Sequence, residues 1–86
     1  MKAKVFLKAK RVEGEKIHIS TEYIKLDSFL KFANIAESGG DAKLMVEDEQ
    51  VMVNGEVCTQ RGKKLRAGDM VTVEGQHYFV VSKENT

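Results

Sequence analysis

Four basic side chains crowd into the segment QRGKKLRAGD, residues 60–69, with no acidic residue between them: Arg61, Lys63, Lys64 and Arg66. Fixed positive charges at this spacing can contact several phosphates, and each contact releases a condensed counterion. Arginine adds a planar guanidinium that binds phosphate through two hydrogen bonds or stacks on a base. This segment therefore predicts a nucleic-acid contact, and its residues 61–66 are called the basic loop from here on.

A solvated surface loop is the plain alternative, since most short charge runs only face water. Two features favour a binding role for the basic loop. Its acidic neighbours lie outside it, and Gly62 lies within it and Gly68 just after it, so that the backbone can approach a partner closely. The net charge of the chain is only +1, and residues 37–86 hold nine acids against six cations. The charge that favours nucleic-acid binding therefore lies in the basic loop and not in the net charge of the chain.

The other reactive side chains do not assemble into a catalytic or metal-binding set. A nucleophile needs a base and an orienting group, and the serines have no accompanying histidine motif. The acids at 47–49 are neighbours in sequence, which on a helix do not face each other. Cys58 is the single cysteine, and His18 and His77 match no ligand spacing. We therefore expect no enzyme activity, no metal and no cofactor.

The length and composition indicate one soluble domain spanning residues 1–86. No apolar run approaches the roughly 18 residues that a membrane helix needs. The apolar stretch at 5–7 is too short for a secretory signal. These features predict a cytoplasmic protein without a membrane segment, and they leave its oligomeric state open.

The N-terminal part of the chain predicts a β-hairpin. Residues 4–11 and 16–20 have strand character, and the second segment alternates apolar and polar residues. Gly14 in the turn between them is expected to supply an unusual backbone angle. Whether this hairpin joins the main sheet is left open.

Two short helices are expected next. In the segment 23–37, apolar residues at helical spacing form one stripe: Leu26, Phe29, Leu30 and Ala33. This helix should end near Asn34, with Lys25 and Lys31 toward solvent. In the segment 37–50, Ser38 followed three residues later by Asp41 is similar to a capping box. One face of the second helix carries Ala42, Met45 and Val46.

The remainder of the chain predicts short strands joined by tight turns. Asn54-Gly55 after an apolar run is a strong hairpin signal. Further turns are expected at 67–69 and at Gly75-Gln76, and strands are expected at 51–53, 56–59, 70–74 and 77–82. The resulting order of hairpin, two helices and strands gives an α+β fold with a small, mostly antiparallel sheet.

Residues 25–75 resemble the RNA-binding domain first seen in small-subunit ribosomal protein S-four. The resemblance lies in four motifs in order: KLD at the first helix start, SGGDAK at the second, the turn VMVNG, and basic residues ahead of GD. The length is similar to that of the stand-alone, YaaA-like bacterial proteins of this type. The resemblance implies the alpha-L motif, in which two helices and the adjacent loop form an RNA-binding face.

The resemblance also implies which residues contact RNA: Lys25, Lys43, Asn54 and the four cations of the basic loop. Lys31, on the solvent side of the first helix, is expected to contact RNA as well. Many relatives place an arginine after the serine of the second helix, where this chain has Gly39. Gly39 and Gly40 leave backbone N–H groups exposed at a helix start, which could bind a phosphate. Alternatively, these glycines simply permit a tight turn.

These features predict a non-catalytic module that binds structured RNA by backbone shape. Ribosomal RNA, a ribosomal assembly intermediate or transfer RNA are the partners that the resemblance implies. Tyr23 and Phe32 could stack on bases, although Phe32 is expected to pack under the sheet or the hairpin. The alternative is a protein-interaction domain that docks through the acids at 47–49 and the basic loop.

Overall fold

The computed structural model describes residues 13–83. Its elements in chain order are β1 (Glu15–Ile19), β2 (Ile24–Lys25), α1 (Leu26–Phe32), α2 (Gly39–Glu47), β3 (Val51–Val53), β4 (Glu56–Val57), β5 (Lys64–Leu65), β6 (Met70–Val73) and β7 (Gln76–Ser82). Five strands form one sheet in the order β1-β7-β6-β3-β4, and β2 and β5 form a separate two-stranded ladder. The predicted α+β class, with two helices and a small sheet, is confirmed. The expected strand at 4–11 lies outside the described residues.

Strand β1, the second strand of the expected hairpin, joins the main sheet. It runs parallel to β7, with Ile17 opposite Val80. The other neighbouring strands of this sheet pair antiparallel, as expected. Ile17 and Ile19 are buried while Lys16 and His18 are exposed, because successive side chains of a strand point to opposite faces.

Gly14 lies just before β1, and its predicted role was wrong. Its φ is not in the left-handed region, unlike that of Gly55, Gly68 and Gly75. Instead, a Cβ at this position would lie 2.8 Å from the backbone carbonyl carbon of His77 and 2.8 Å from the ring of Phe79. Gly14 is therefore needed for the close approach of the chain to β7.

Replacing Gly14 with alanine is expected to lower the free energy of unfolding by about 1–3 kcal/mol, because the backbone of β7 must move to admit a methyl group. Urea denaturation of the full chain measures this change. Gly62→Ala is the matched control, since open space surrounds that position. It should leave the midpoint unchanged or raise it slightly. Equal midpoints for the two variants would contradict the close approach.

Helix α1 presents three fully buried side chains, Leu26, Phe29 and Leu30. Asp27 in its first turn and Lys31 in its last turn complement the helix dipole. The helix ends at Phe32, slightly before the expected end at Asn34. Asn34 has a φ of 65°, which lies in the left-handed region and cannot continue a right-handed helix.

Helix α2 begins as its sequence predicts. Ser38 is the N-cap, and its Oγ accepts a hydrogen bond from the backbone N–H of Asp41 at 3.1 Å. Ala42 and Val46 are fully buried, Met45 is half-buried, and Leu44 is 57% exposed. The apolar face of this helix was therefore predicted correctly.

One hydrophobic core connects both helices with the main sheet. Its members are Ile17, Ile19, Leu26, Phe29, Leu30, Ala36, Ala42, Val46, Val51, Val53, Leu65, Val71, Val73 and Val80. Phe32 does not belong to it and is 61% exposed. The expectation that Phe32 packs inside the protein was wrong. Phe32 lies about 110° around the helix from the middle of the stripe formed by Leu26, Phe29 and Leu30, at the edge of the buried face.

Two tight turns shape the sheet. Asn54 and Gly55 have φ values of 52° and 88°, so the predicted hairpin between β3 and β4 is confirmed. The next hairpin turns at Glu74 and Gly75, with φ values of 52° and 81°. That turn begins one residue earlier than expected.

Candidate nucleic-acid interface

The β2–β5 ladder holds the basic loop in place, and no local sequence pattern predicts it. Its two strands are antiparallel, with Ile24 opposite Leu65 and Lys25 opposite Lys64. Leu65 is fully buried. Because strand side chains alternate between faces, the Ile24–Leu65 pair faces the core and the Lys25–Lys64 pair faces solvent.

Backbone hydrogen bonds continue from the ladder into helix α1. The N–H of Leu26 donates to the carbonyl of Lys63 at 2.9 Å, and the N–H of Asp27 donates to the carbonyl of Arg61 at 3.1 Å. These N–H groups belong to the first turn of a helix, where no intrahelical acceptor exists. The basic loop therefore caps α1, and α1 in turn fixes where the loop lies.

The ladder brings together cations that are far apart in sequence. Opposed side chains of an antiparallel pair have Cβ atoms about 5 Å apart, and like charges in that position repel. The ring of Tyr23 lies beside them: the Nζ of Lys64 is 4.9 Å from its centroid and the Cζ of Arg66 is 5.7 Å away. Cation–π attraction offsets part of the repulsion.

The far end of the basic loop is fixed by Asp69 and Asn54. One carboxylate oxygen of Asp69 accepts a hydrogen bond from the backbone N–H of Arg66 at 2.8 Å, and the other accepts one from the Asn54 side chain at 3.1 Å. The Oδ1 of Asn54 accepts a further bond from the N–H of Met70 at 2.9 Å. Both polar atoms of the Asn54 amide thus hold this turn.

Apart from Asn54, whose amide holds the turn described above, the predicted contact residues divide into two groups in the structure. The ladder joins Lys25 to the basic loop, whose four cations are all exposed. The others stand on the two helices and are exposed as well: Lys31 in the last turn of α1, and Gly39, Gly40 and Lys43 on α2. A Cβ at Gly39 would meet no atom within 4 Å. A role in RNA binding stays a prediction for both groups and for Asn54.

Sequence reasoning considered Tyr23 for base stacking and missed its contact with two cations of the basic loop. No local signal could have revealed that contact. It depends on the pairing of two strands of two residues each, separated by the whole of both helices. Tyr23 and Lys25 are two residues apart and lie on the same face of the chain if it is extended. That spacing becomes informative only once the pairing of β2 with β5 is known.

The acids at 47–49 form the end of α2. Glu47 is its last residue, Asp48 is the C-cap, and Glu49 turns the chain away with a φ of 61°. Across residues 13–83, no group of three or more histidine, cysteine or acidic side chains is arranged to hold a metal ion. Over the same residues, no helix has the length and apolar character to span a bilayer.

Several known proteins are similar to this chain in sequence or in fold. The chain is 46% identical over 65 residues to the probable ribosome maturation protein RlbA of Bacillus subtilis (strain 168), covering 76% of this chain and 92% of the relative. It is 35% identical over 60 residues to the putative RNA-binding protein YbcJ of Escherichia coli (strain K12), covering 70% of this chain and 86% of that one.

The solution structure of YbcJ from E. coli, described as revealing an αL motif involved in RNA binding, superposes with a TM-score of 0.62 at 30% identity. The superposition covers 80% of this chain and 89% of YbcJ. A family model described as the S4 domain matches residues 17–81. That match includes both helices, the ladder and nearly all of the main sheet, and the chain therefore belongs to the S4 domain family.

Proposed function

We propose that this chain is a non-catalytic RNA-binding module that contacts structured RNA through the basic loop and Lys25. The observation that carries the proposal is the β2–β5 ladder, which sets Lys25 directly opposite Lys64. Such a concentration of exposed positive charge suits a ribose-phosphate backbone.

Two nearby carboxylates, those of Asp27 and Asp69, support this proposal, because backbone or amide donors already engage them. Asp27 accepts a hydrogen bond from the N–H of Ser28 at 2.8 Å. Asp69 accepts from the N–H of Arg66 and from the side chain of Asn54. The two acids that flank the loop and the helix start thus serve to fix the backbone.

Ribosomal RNA, within a maturing ribosomal particle in the cytoplasm, is the proposed target. The name of the B. subtilis relative, a probable ribosome maturation protein, favours ribosomal over transfer RNA. Recognition should follow the shape of the RNA, because phosphate contacts carry no base information and the major groove of an RNA helix is too narrow for side chains.

Filter binding of the full chain to a stem-loop of bacterial ribosomal RNA tests the proposal. With about five phosphate contacts, affinity should fall several-hundredfold between 50 and 200 mM salt. A DNA duplex of the same sequence serves as the control and should bind more weakly, since it lacks the A-form shape and the 2′-hydroxyls. Absence of binding at 50 mM salt, or binding that does not respond to salt, would contradict it.

The protein-docking alternative predicts a different result in a pull-down from nuclease-treated lysate. Under the present proposal, ribosomal proteins should be lost from the captured material when the RNA is digested. Partners that remain after digestion, and that are released by charge reversal at Glu47, Asp48 and Glu49, would favour docking instead.

A further inference from the structure

We infer that the outer face of the β2–β5 ladder is a clamp for one phosphodiester group, in which Tyr23 positions Lys64 and Arg66. This inference rests on the proposed function and deepens it. The register supports it directly: Lys25 lies opposite Lys64 and Ile24 opposite Leu65. Extending the ladder by one residue beyond Ile24 and Leu65 sets Tyr23 opposite Arg66. One face thus combines an aromatic ring with three cations.

The ring of Tyr23 restrains two long side chains at once. The Nζ of Lys64 and the Cζ of Arg66 are 4.9 and 5.7 Å from its centroid. Exposed lysine and arginine side chains lose much rotamer freedom when they bind a partner. A ring that holds both cations before binding reduces that loss, and this preorganisation strengthens binding.

Lys25 supplies the third charge and explains why the site suits an oxyanion. Directly opposed lysines repel each other in the free protein. A phosphodiester between Lys25 and Lys64 would replace that repulsion with two attractions. The guanidinium of Arg66 can add paired hydrogen bonds to the same phosphate.

One acidic residue restricts where the RNA backbone can lie beside the clamp. Glu22 is exposed, and together with Arg66 it lines a neighbouring cavity of ≈ 450 Å³. Its negative charge disfavours a second phosphate on that side of Arg66. The bound RNA backbone should therefore leave the clamp toward the remaining cations of the basic loop, Arg61 and Lys63.

Tyr23→Leu and Tyr23→Phe in the full chain test the positioning role. Tyr23→Leu should weaken binding to the ribosomal stem-loop about three- to tenfold, because two exposed cation–π contacts are lost. Tyr23→Phe keeps the ring and should stay within about twofold of the original chain. If both variants bind as the original chain does, Tyr23 plays no positioning role.

A double-mutant cycle separates positioning from a general structural effect. In a chain already carrying Lys64→Gln and Arg66→Gln, Tyr23→Leu should cause no further loss of affinity, since nothing remains for the ring to position. A full additional loss would overturn the inference, because Tyr23 would then act on RNA or on the fold independently.

Proton NMR of the free, unmodified chain provides a test that needs neither RNA nor a folded variant. The ε-methylene protons of Lys64 should resonate upfield, because they lie near the ring face of Tyr23. Titration with inorganic phosphate should shift the Lys25 and Lys64 signals. Unshifted signals in both measurements would overturn the clamp even if the chain binds RNA. A chain that shows both effects but binds no RNA would instead refute the proposed function alone.

Discussion

Lys63→Glu combined with Lys64→Glu is expected to weaken RNA binding by about 30- to 100-fold at moderate salt. Two phosphate contacts are lost and two repulsions replace them, so the slope of log affinity against log salt should fall by about 2. Both side chains are exposed, so the fold should persist. Filter binding across a salt series measures both changes.

The same variant should keep about the stability of the original chain. A glutamate at position 64 would stand opposite Lys25 and turn a repulsive cross-strand pair into an attractive one. This gain offsets the lost cation–π contact between Lys64 and Tyr23. Lys16→Glu reverses one charge on the exposed side of β1 and is the control. It should change affinity less than about threefold. An equal loss per reversed charge at both sites would show that only net charge matters.

Phe29→Ala is expected to lower the free energy of unfolding by about 3–5 kcal/mol, a large part of the stability of a small domain. The Phe29 side chain on α1 is fully buried, so truncation leaves a cavity in the core that joins both helices to the sheet. Thermal or urea unfolding measures the loss, and the variant is expected to be partly unfolded at 37 °C.

Phe32→Ala is the matched control for that loss. It removes the same side chain from the same helix three residues later, where the ring is 61% exposed. Stability should change by less than about 0.5 kcal/mol. Similar losses at both positions would mean that the buried face of α1 had been assigned wrongly.

Local signals were sufficient to predict the two helices and the two hairpins that follow them. The cap at Ser38 and the turn at Asn54-Gly55 arise from interactions within a few residues, and the structure has both. Periodicity correctly placed Phe29 and Leu30 inside. It could not tell whether Phe32 has a neighbour, because that depends on elements elsewhere in the chain.

The candidate site was predictable in its residue types but not in its arrangement. Charge density drew attention to the basic loop, yet strands of two residues carry no recognisable period. The pairing of Lys25 with Lys64 arises because Ile24 and Leu65 share the opposite side of the same ladder, toward the core. The need for a glycine at position 14 could likewise not be predicted, since it depends on the backbone of His77, which is far away in the sequence but close in the fold.

The parallel pairing of β1 with β7 has a consequence for how this chain folds during its synthesis. Ile17 and Ile19 emerge from the ribosome early, but their partners Val80 and Ser82 are translated much later. Loop closure over such a separation is slow and entropically costly. The main sheet therefore stays incomplete until β7 has been synthesised and has left the exit tunnel.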